Sequence, residues 1–375
     1  MKEPFPHDIR AVLAAPGRGL SLKKIFATVF FLLLSYLVYT VFTYLALLYD
    51  GVSYEYIRQS YGLFPFRFFP FDAAIASVLH LIGIAAGTLG LSLAIMSVAV
   101  ITFEELRGDH FYSAFSAIRF AFSRLSTLLL GYISLAAFVG FIHLLGLIVG
   151  LIGRVPIIGE AAIGLFYVIP IFITLIFTLF VVFVSILGII LLPIILASQR
   201  KKEVFDGLLQ LFSVVIREPV RFLWYTAVSA VLAKIASFVF GYMFFRTLQF
   251  SYFILKQGGG EKVKRLFNAA MDLLPLDASA VTFITTIFPG IAFSFNIDRW
   301  GYGAPTIGAY LLAISIFILF VTICGYMLSV FSSGLACGYA VIRRMKDDYL
   351  IVEEEPMESG EDYANPPFKT NNQTS

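Results

Sequence analysis

Charged residues, histidines and cysteines are all scarce in this sequence, and each scarcity removes a class of protein. Charged residues make up 14% of the 375 residues, whereas an average soluble domain has about 25%. A water-soluble globule is therefore excluded. The two cysteines, Cys324 and Cys337, cannot provide a disulfide framework or a four-thiolate metal site within one chain.

The sequence motifs of enzymes are also missing. The four histidines never stand at the spacing of helical metal ligands. The sequence has no His-Glu-x-x-His, no Gly-x-Ser-x-Gly and no glycine-rich loop that ends in Gly-Lys-Ser/Thr. We therefore expect no resident metal, no cofactor and no nucleic-acid partner.

Long apolar runs dominate the chain, in which 59% of the residues are hydrophobic and 40 are Phe. A helix needs about 20 apolar residues to cross about 30 Å of hydrocarbon. Six stretches meet this requirement: Ile25–Leu48, Ala73–Ile101, Thr127–Ile152, Phe166–Leu196, Phe222–Phe245 and Thr306–Phe331. We predict an all-α integral membrane protein with about six transmembrane helices, in a membrane domain at 25–345.

A seventh apolar stretch, Ala278–Phe295, is interrupted by Pro289 and Gly290. Both residue types disfavour an unbroken helix. The stretch lies in the longest connection between spans, residues 246–305. We interpret it as a re-entrant or interfacial hairpin, with a true span as the alternative.

The positions of the basic residues indicate an orientation. Six spans place most Lys and Arg residues on one side, whereas seven would move Arg343 and Arg344 to the other. Because positive charge favours the cytoplasmic side, we predict cytoplasmic termini in a bacterial-type inner membrane. The amphipathic segment 1–24 and the acidic tail 346–375 then lie in the cytoplasm, and the composition of the tail is typical of disorder.

Two parts of the chain align without gaps at an offset of 93 residues. The matching pairs are Ser92 and Ser185, Arg107 and Arg200, Arg124 and Arg217, and Tyr132 and Tyr225. We predict repeat units at about 73–152 and 166–245, each with a short amphipathic helix in the cytoplasmic interface. A circularly closed third unit would combine the N-terminal segment with the last span. The alternative is a chance alignment of apolar sequences.

The connecting segments of the two units end on Arg124-Leu125-Ser126 and Arg217-Glu218-Pro219. Over roughly residues 90–245, this order of span, amphipathic segment, Arg-x-Ser or Arg-x-Pro, and Leu-rich span resembles a family of bacterial polytopic proteins. They carry the glycerophosphodiester phosphodiesterase-type membrane domain, and related families are uncharacterised. The resemblance implies the architecture and transfers no catalytic residue.

Basic residues at these junctions suit the lipid surface. We expect Arg124, Arg217 and Arg221 to extend their guanidinium groups toward lipid headgroups. Gly146 and Gly150 form a Gly-x-x-x-Gly pair in the third span, which predicts close helix packing, most simply within the chain.

Polar residues within or near the spans are costly and mark candidate sites. We expect Lys234 to face the bundle interior, near the middle of the fifth span. His80 and His143 are predicted to share a depth below Asp72 and Glu160, where the four groups would form a proton relay or a metal site. The alternative is that the histidines bind backbone carbonyls, the acids are solvated, and Lys234 makes a structural contact or snorkels.

The connection after the first span is rich in aromatic residues around two prolines. These aromatic residues are Tyr61, Phe64, Phe66, Phe68, Phe69 and Phe71. Aromatic rings concentrate at the membrane–water boundary, so an interfacial anchor is the simplest prediction. The alternative is a docking surface for a lipid or another subunit.

These observations favour a non-enzymatic scaffold or accessory subunit that interacts with membrane lipids and, as a further option, with other membrane-protein subunits. One alternative is a transporter or channel that uses the repeat as a pseudo-symmetric pathway, for which Lys234, His80 and His143 are the candidate residues. An intramembrane lipid-modifying enzyme is the third hypothesis, but no nucleophile and base can be paired in the sequence.

Overall fold

The structure is a computed structural model that describes residues 8–61, 71–274, 306–348 and 350–351. Within these ranges the regular secondary structure is helical. The helices are α1 (Ile9–Leu13), α2 (Ala15–Gly19), α3 (Leu22–Tyr49), α4 (Tyr54–Tyr61), α5 (Ala74–Arg107), α6 (Ala114–Ser123), α7 (Leu125–Ile152), α8 (Ile158–Phe166), α9 (Ile173–Ser198), α10 (Val204–Arg217), α11 (Pro219–Asp272) and α12 (Ile307–Asp347).

Six of these helices, α3, α5, α7, α9, α11 and α12, are long and apolar enough to cross a membrane. The prediction of an all-α membrane protein with about six spans is therefore confirmed. The re-entrant hairpin predicted at 278–295 lies outside the described residues, as does most of the acidic tail 346–375.

The six long helices form three antiparallel hairpins, which are α3 with α5, α7 with α9, and α11 with α12. The second helix of each hairpin, which is α5, α9 or α12, also packs against the second helices of the other two hairpins. We call α5, α9 and α12 the inner helices, and α3, α7 and α11 the outer helices. The terminal end of the bundle carries α1, α2, α6, α10 and the last turn of α12; the far end carries α4 and α8.

The inner helices are fully packed at the terminal end. Three unbroken runs are buried there: residues 92–104 of α5, 191–197 of α9 and 332–342 of α12. Ala, Val, Ile and Leu fill most of these positions, so the three helices share one apolar core. This core holds the hairpins together and closes the terminal end of the bundle.

At the far end the described residues pack less closely around the inner helices. Before Ser92, the buried residues of α5 are Ala76, His80, Gly83 and Gly90, which form a single helical face. That face packs on α3, since Cβ atoms at Gly83 and Gly90 would meet Phe42 and Ser35. The far halves of α9 and α12 carry large exposed apolar side chains, including Leu179 (70%) and Leu311 (62%). Among the described residues, the far halves of the inner helices therefore present more exposed apolar surface than their terminal halves.

Short helices connect the hairpins at the terminal end. Helix α6 packs on α5 and α3, α10 packs on α9 and α7, and α1 with α2 packs on α12 and α11. Each of α6 and α10 buries small or aliphatic residues on one face, such as Ala117 and Leu211. Phe115 and Phe205 are 73% and 74% exposed, and the Phe115 ring lies 5.5 Å from that of Phe26 on α3.

Two helices extend beyond the predicted spans because a helix does not end where its apolar run ends. Helix α12 continues past Phe331 to Asp347, and α11 continues past Phe245 to Asp272. Within α11 the backbone is not helical at Gly260, whose φ is 53°. Glycine tolerates a positive φ, so this residue supplies the break in α11 before Glu261.

The fourth span begins later than predicted. A π-helical turn at Tyr167–Phe172 separates α8 from α9, and Ile169 there has an extended backbone with φ −135° and ψ 114°. Ile169 precedes Pro170, and a residue before proline is pushed away from the helical region. The apolar run from Phe166 is therefore split, and the helix that spans starts at Ile173.

The Gly-x-x-x-Gly prediction of close packing within the chain is wrong. A Cβ atom built at Gly146 or Gly150 would meet nothing within 4 Å. Close approach occurs elsewhere, where a Cβ at Gly334 of α12 would lie 2.9 Å from the Cβ of Ser229 and 3.2 Å from the Cβ of Ala15. Sequence spacing identified the small residues of α7, but it did not show which helix faces meet.

Candidate functional site

The structure places His80 in a packed contact between α3 and α5. Its side chain is 8% exposed, and Nδ1 lies 3.3 Å from the Thr43 Oγ1. The rings of Phe71 and Tyr39 lie 5.1 and 6.0 Å from its ring. His80 therefore fills the α3–α5 contact at the far end, with a hydroxyl beside one ring nitrogen.

The other residues of the predicted polar site do not join His80. His143 is exposed on α7, Glu160 is exposed on α8, and Asp72 is exposed just before α5. No group of three or more His, Cys, Asp or Glu side chains within the described ranges could hold a metal ion. The predicted relay or metal site is therefore not assembled by this part of the chain.

Lys234 also differs from its prediction. Its side chain is exposed on α11, between exposed Val231 and Ile235, whereas the buried face of α11 carries Ser229, Ala233 and Ser237. Ser229, Ala233 and Ser237 are four residues apart and lie on one face of α11, whereas Lys234 lies on a different face. Lys234 therefore points away from the bundle interior.

The aromatic connection is described only at its edges. Phe64, Phe66, Phe68 and Phe69 lie outside the described residues, as does the side chain of Tyr61. Phe71 is 7% exposed and packs with Ala46, Leu47, Ile57 and Ala76 in a small cluster at the far end. Within that cluster, Phe71 contributes to the fold as a core residue.

Arg124 does not reach lipid. Its side chain is 1% exposed, and Nη2 donates to the carbonyls of Gln199 and Arg200 at 2.9 and 2.7 Å. Nη1 donates to the Lys201 carbonyl. Carbonyls that follow a helix end lack helical partners, and the buried guanidinium satisfies them. The headgroup contact predicted for Arg124 is therefore wrong, because the side chain links α7 to the end of α9.

The equivalent arginine of the second unit, Arg217, is exposed. Arg221 is also exposed, with Nη1 3.0 Å from Glu218 Oε2. A headgroup contact stays a prediction for these two residues.

A buried ionic cluster lies at the terminal end between α3 and α5. Glu105 accepts from the Lys24 Nζ at 2.7 Å and from the Lys23 Nζ at 2.9 Å, and the Lys24 side chain is 0% exposed. Within α5, Arg107 pairs with the neighbouring Glu104 at 2.5 Å, and both side chains are fully buried. Burying charges is costly unless they are paired, so the pairs of Lys23 and Lys24 with Glu105 favour one register of α3 on α5.

A polar cavity of about 280 Å³ lies nearby at the terminal end. It is formed by the end of α9, the start of α10 and the last turns of α12. The lining residues are Ser198, Gln199, Arg200, Lys201, Glu203, Asp206, Gln210 and Arg343. Three are basic and two are acidic, so the cavity presents both signs of charge within a small space.

The cavity is built by a hydrogen-bond network that joins three elements, the end of α9, α10 and α12. The amides of Gln199 and Gln210 donate to the same oxygen of Asp206, Oδ2, at 2.6 and 2.8 Å. The Tyr339 hydroxyl donates to the Gln210 Oε1 at 2.9 Å, and Arg343 donates to that hydroxyl at 3.4 Å. Since Arg124 also holds the 199–201 backbone, the walls are fixed from several directions.

This cavity is not apparent from the sequence. Asp206 and Gln210 are four residues apart and share one face of α10, a signal that the sequence does contain. Arg343 comes from a distant part of the chain, and no local pattern connects it with Gln199. The cavity therefore depends on the packing of α12 against α9 and α10.

The fold defines a class: an all-α, multi-pass membrane protein with about six spans, whose inner helices are most tightly packed at the terminal end. No family model, no curated protein and no solved structure matches the chain.

Proposed function

We propose that the chain is a non-enzymatic scaffold or accessory subunit, and that it holds transmembrane helices of another membrane protein against the far halves of its inner helices. The observation that carries this proposal is the exposure of large apolar side chains, such as Leu81, Leu179 and Leu311, on the far halves of all three inner helices. We infer that these exposed sides are the walls of one apolar cleft.

The walls of the cleft suit a helix as the occupant. Hydroxyl groups on them, such as those of Thr178, Ser315 and Thr322, donate to carbonyls of their own helices. The walls therefore offer an apolar surface with small residues, which is the surface that membrane helices use to pack. The open glycines of α7 extend this surface, because a Cβ at Gly140, Gly146 or Gly150 meets nothing within 4 Å.

The exposed Lys234 gives further support. A cation in the apolar part of a helix costs about 2.5–3.5 kcal/mol when it faces lipid alone. No ion pair holds Lys234 among the described residues. An acidic or carbonyl group on a partner helix would offset this cost.

The proposal includes a pseudo-threefold arrangement of three units: α5–α6–α7, α9–α10–α11, and α12 with α1, α2 and α3. In each unit the short connecting element packs on the first helix of its own unit and on the second helix of the preceding unit. The third unit combines helices from the two ends of the chain. We also propose that the terminal end faces the cytoplasm of a bacterial-type cell, with α6 and α10 at the membrane surface.

Site-specific photocrosslinking in native membranes tests the occupant of the cleft. A photoreactive residue at Leu81, Leu179 or Leu311 samples the exposed far half of one inner helix each. We expect all three positions to capture the same membrane protein. Leu37 is 59% exposed on the outer helix α3 and serves as the matched control, which should capture lipid.

Mass spectrometry of the crosslinked products decides among the occupants. Capture of lipid alone at all three inner positions would overturn the subunit proposal. Capture of a second copy of this chain would replace it with a homo-oligomer. If Lys234→Leu abolished capture of the partner while the chain stayed folded, Lys234 on α11 would contact an acidic group of the partner.

A further inference from the structure

Each of the three hairpins has a corner at the terminal end, where its outer helix begins beside the end of its inner helix. At two corners a basic residue near the start of the outer helix binds the backbone that follows the inner helix. Lys23 of α3 donates to the His110 carbonyl after α5 at 3.0 Å. Arg124, at the start of α7, donates to the carbonyls of residues 199–201 after α9. A cation therefore closes each of these two corners.

The third corner, where α11 begins beside the end of α12, is held by direct contacts. A Cβ atom at Gly338 of α12 would lie 3.1 Å from the Tyr225 Cβ of α11. Because the two helices are antiparallel, the chain from Tyr225 back to Pro219 runs toward the last turn of α12. Lys346 in that turn donates to the Ser213 hydroxyl of α10 at 2.9 Å. The end of α12 therefore lies beside α10 and the start of α11.

Within the described residues, no cation near the start of α11 binds the end of α12. Arg217, the last residue of α10, is exposed and has no ion-pair or hydrogen-bond partner in this part of the chain. It stands four residues after Ser213, and residues four apart are neighbours on a helix surface. Arg217 is thus about one helical turn from the contact with Lys346. Arg221 differs, since Glu218 already pairs with it at 3.0 Å.

A second arginine at the third corner is also unpaired. Arg344 lies in the last turn of α12, is partly exposed and has no ion-pair or hydrogen-bond partner among the residues that the structure describes. Its basic neighbours differ, because Arg343 and Lys346 both pair with Asp347, at 3.4 and 3.3 Å. The described chain therefore leaves the charges of Arg217 and Arg344 uncompensated.

The C-terminal tail begins at the same end of α12. This helix ends at Asp347, and Ile351 is buried in the main apolar core, where it is 2% exposed. The sequence then continues into an acidic segment, 353–362, which has six acidic residues and no basic one. An extended chain spans at most about 3.6 Å per residue, so residue 353 begins within about 7 Å of Ile351. Six carboxylates are therefore tethered near a surface with two unpaired arginines.

We propose that the acidic segment 353–362 folds back onto the third corner and pairs its carboxylates with Arg217 and Arg344. Charge complementarity and the short tether carry this inference. A tether raises the effective concentration of a binding segment to about the millimolar range, and arginine forms charge-assisted hydrogen bonds with carboxylates. The contact closes the third corner, as Lys23 and Arg124 close the other two.

The acidic segment acts as a releasable strap. Ion pairs at an exposed surface are individually weak and are screened by salt. Phosphate groups of anionic lipids bind arginine through the same kind of hydrogen bond, so they compete with the segment for Arg217 and Arg344. This competition rests on the proposed function in one respect, since it requires α10 to lie at the membrane surface. The strap itself involves no residue of the cleft.

Zero-length crosslinking with a carbodiimide tests the docking, because this reagent joins an amine only to a carboxylate in direct contact. The full chain is reconstituted as single copies in phosphatidylcholine nanodiscs, and Arg217→Lys provides the amine. We expect crosslinks from position 217 to residues 353–362, identified by mass spectrometry. Arg119→Lys, at an exposed arginine of α6, is the matched control and should give about threefold fewer such crosslinks. Equal crosslinking from the two positions would overturn the proposal.

Removing part of the negative charge tests the cause of the docking. In the Arg217→Lys background, Glu353→Gln/Glu354→Gln/Glu355→Gln should lower crosslinking to the other acidic residues of the segment about threefold. About 1 M sodium chloride should have a similar effect on the unmodified segment. The unfolding temperature in detergent checks that the variant stays folded. Crosslinking that resists both changes would show that charge does not hold the segment.

Anionic lipid tests the release of the strap. When phosphatidylglycerol replaces half of the phosphatidylcholine, crosslinking from position 217 should fall about threefold. Unchanged crosslinking would overturn the competition with lipid. Photocrosslinking from Leu81, Leu179 and Leu311 in the triple glutamine variant should match that of the unmodified chain. Failure of the strap and failure of the cleft proposal are therefore separately visible.

Discussion

At the scale of single residues, the same sequence motif has two structural outcomes. Arg124 and Arg217 are 93 positions apart in the aligned segments, yet Arg124 is buried and Arg217 is exposed. The difference arises from what lies beside each junction. Arg124 meets the end of α9, whose carbonyls need donors, and it becomes part of the fold.

We predict that Arg124→Ala destabilises the folded chain by about 3 kcal/mol, because it removes three hydrogen bonds to carbonyls that stay buried. Thermal unfolding in detergent, followed by tryptophan fluorescence or by aggregation, measures the change. The matched control is Arg217→Ala, for which a change within about 0.5 kcal/mol is expected. Equal effects of the two variants would contradict the structural role of Arg124.

The paired charges at Glu105 give a second residue-scale prediction. Glu105→Gln leaves the fully buried Lys24 ammonium without its carboxylate, a change that costs about 3–5 kcal/mol for a buried pair. The double variant Lys24→Met/Glu105→Gln removes the buried charge as well. It should therefore unfold at a higher temperature than the single variant Glu105→Gln.

With the single variant Lys24→Met added, these measurements form a double-mutant cycle, which isolates the coupling between the two side chains. Lys23→Gln is the control, because the Lys23 side chain is 23% exposed and can be solvated. If Lys24→Met gives no rescue in the Glu105→Gln background, the two charges do not stabilise one another.

At the scale of helices, close contacts depend on which glycine faces a neighbour. Gly334 lies where α12, α11 and α2 meet, and its neighbours are the Cβ atoms of Ser229 and Ala15. Cβ atoms cannot rotate away, so a larger residue there must shift a backbone. Gly146 and Gly150 occupy a more familiar motif but face open space.

We predict that Gly334→Ala destabilises the chain by about 1–3 kcal/mol, the usual cost of overpacking. Gly146→Ala should be neutral or stabilising by up to about 1 kcal/mol, because alanine favours a helix over glycine. Apparent melting temperatures of the two variants in detergent provide the comparison. If Gly146→Ala lowered the melting temperature and Gly334→Ala did not, the closely packed glycine would be Gly146 on α7 and not Gly334 on α12.

At the scale of the whole molecule, orientation can be measured with two cysteines at opposite ends. Lys202→Cys lies in the exposed α9–α10 connection at the terminal end, and Glu55→Cys lies on exposed α4 at the far end. A membrane-impermeant maleimide applied to intact cells should label the Glu55→Cys chain alone. After permeabilisation, both should be labelled, because the basic terminal end is expected inside.

The unmodified chain is the control for this labelling, since its cysteines lie within α12 and Cys337 is buried. Labelling of Lys202→Cys in intact cells, with Glu55→Cys protected, would place the chain in the reverse orientation. Either result also fixes the side of the membrane on which the terminal-end cavity lies.

The sequence by itself determined the membrane class, the number of spans and the approximate limits of most helices. Apolar length decides these features locally, because a helix in lipid satisfies its own backbone hydrogen bonds. The same local chemistry explains where the predictions of boundaries failed. Helix α12 continues past Phe331 since nothing at the lipid boundary breaks its hydrogen bonding, and Pro170 splits the run that begins at Phe166.

Only the tertiary structure decided which side chains face one another. It placed Lys234 outside the bundle, buried Arg124 and joined Gln199, Asp206, Gln210 and Arg343 around one cavity. These outcomes depend on the rotation of each helix about its axis. In an apolar chain nearly every face is compatible with lipid, so the hydrophobic pattern does not set this rotation, and packing between distant helices does.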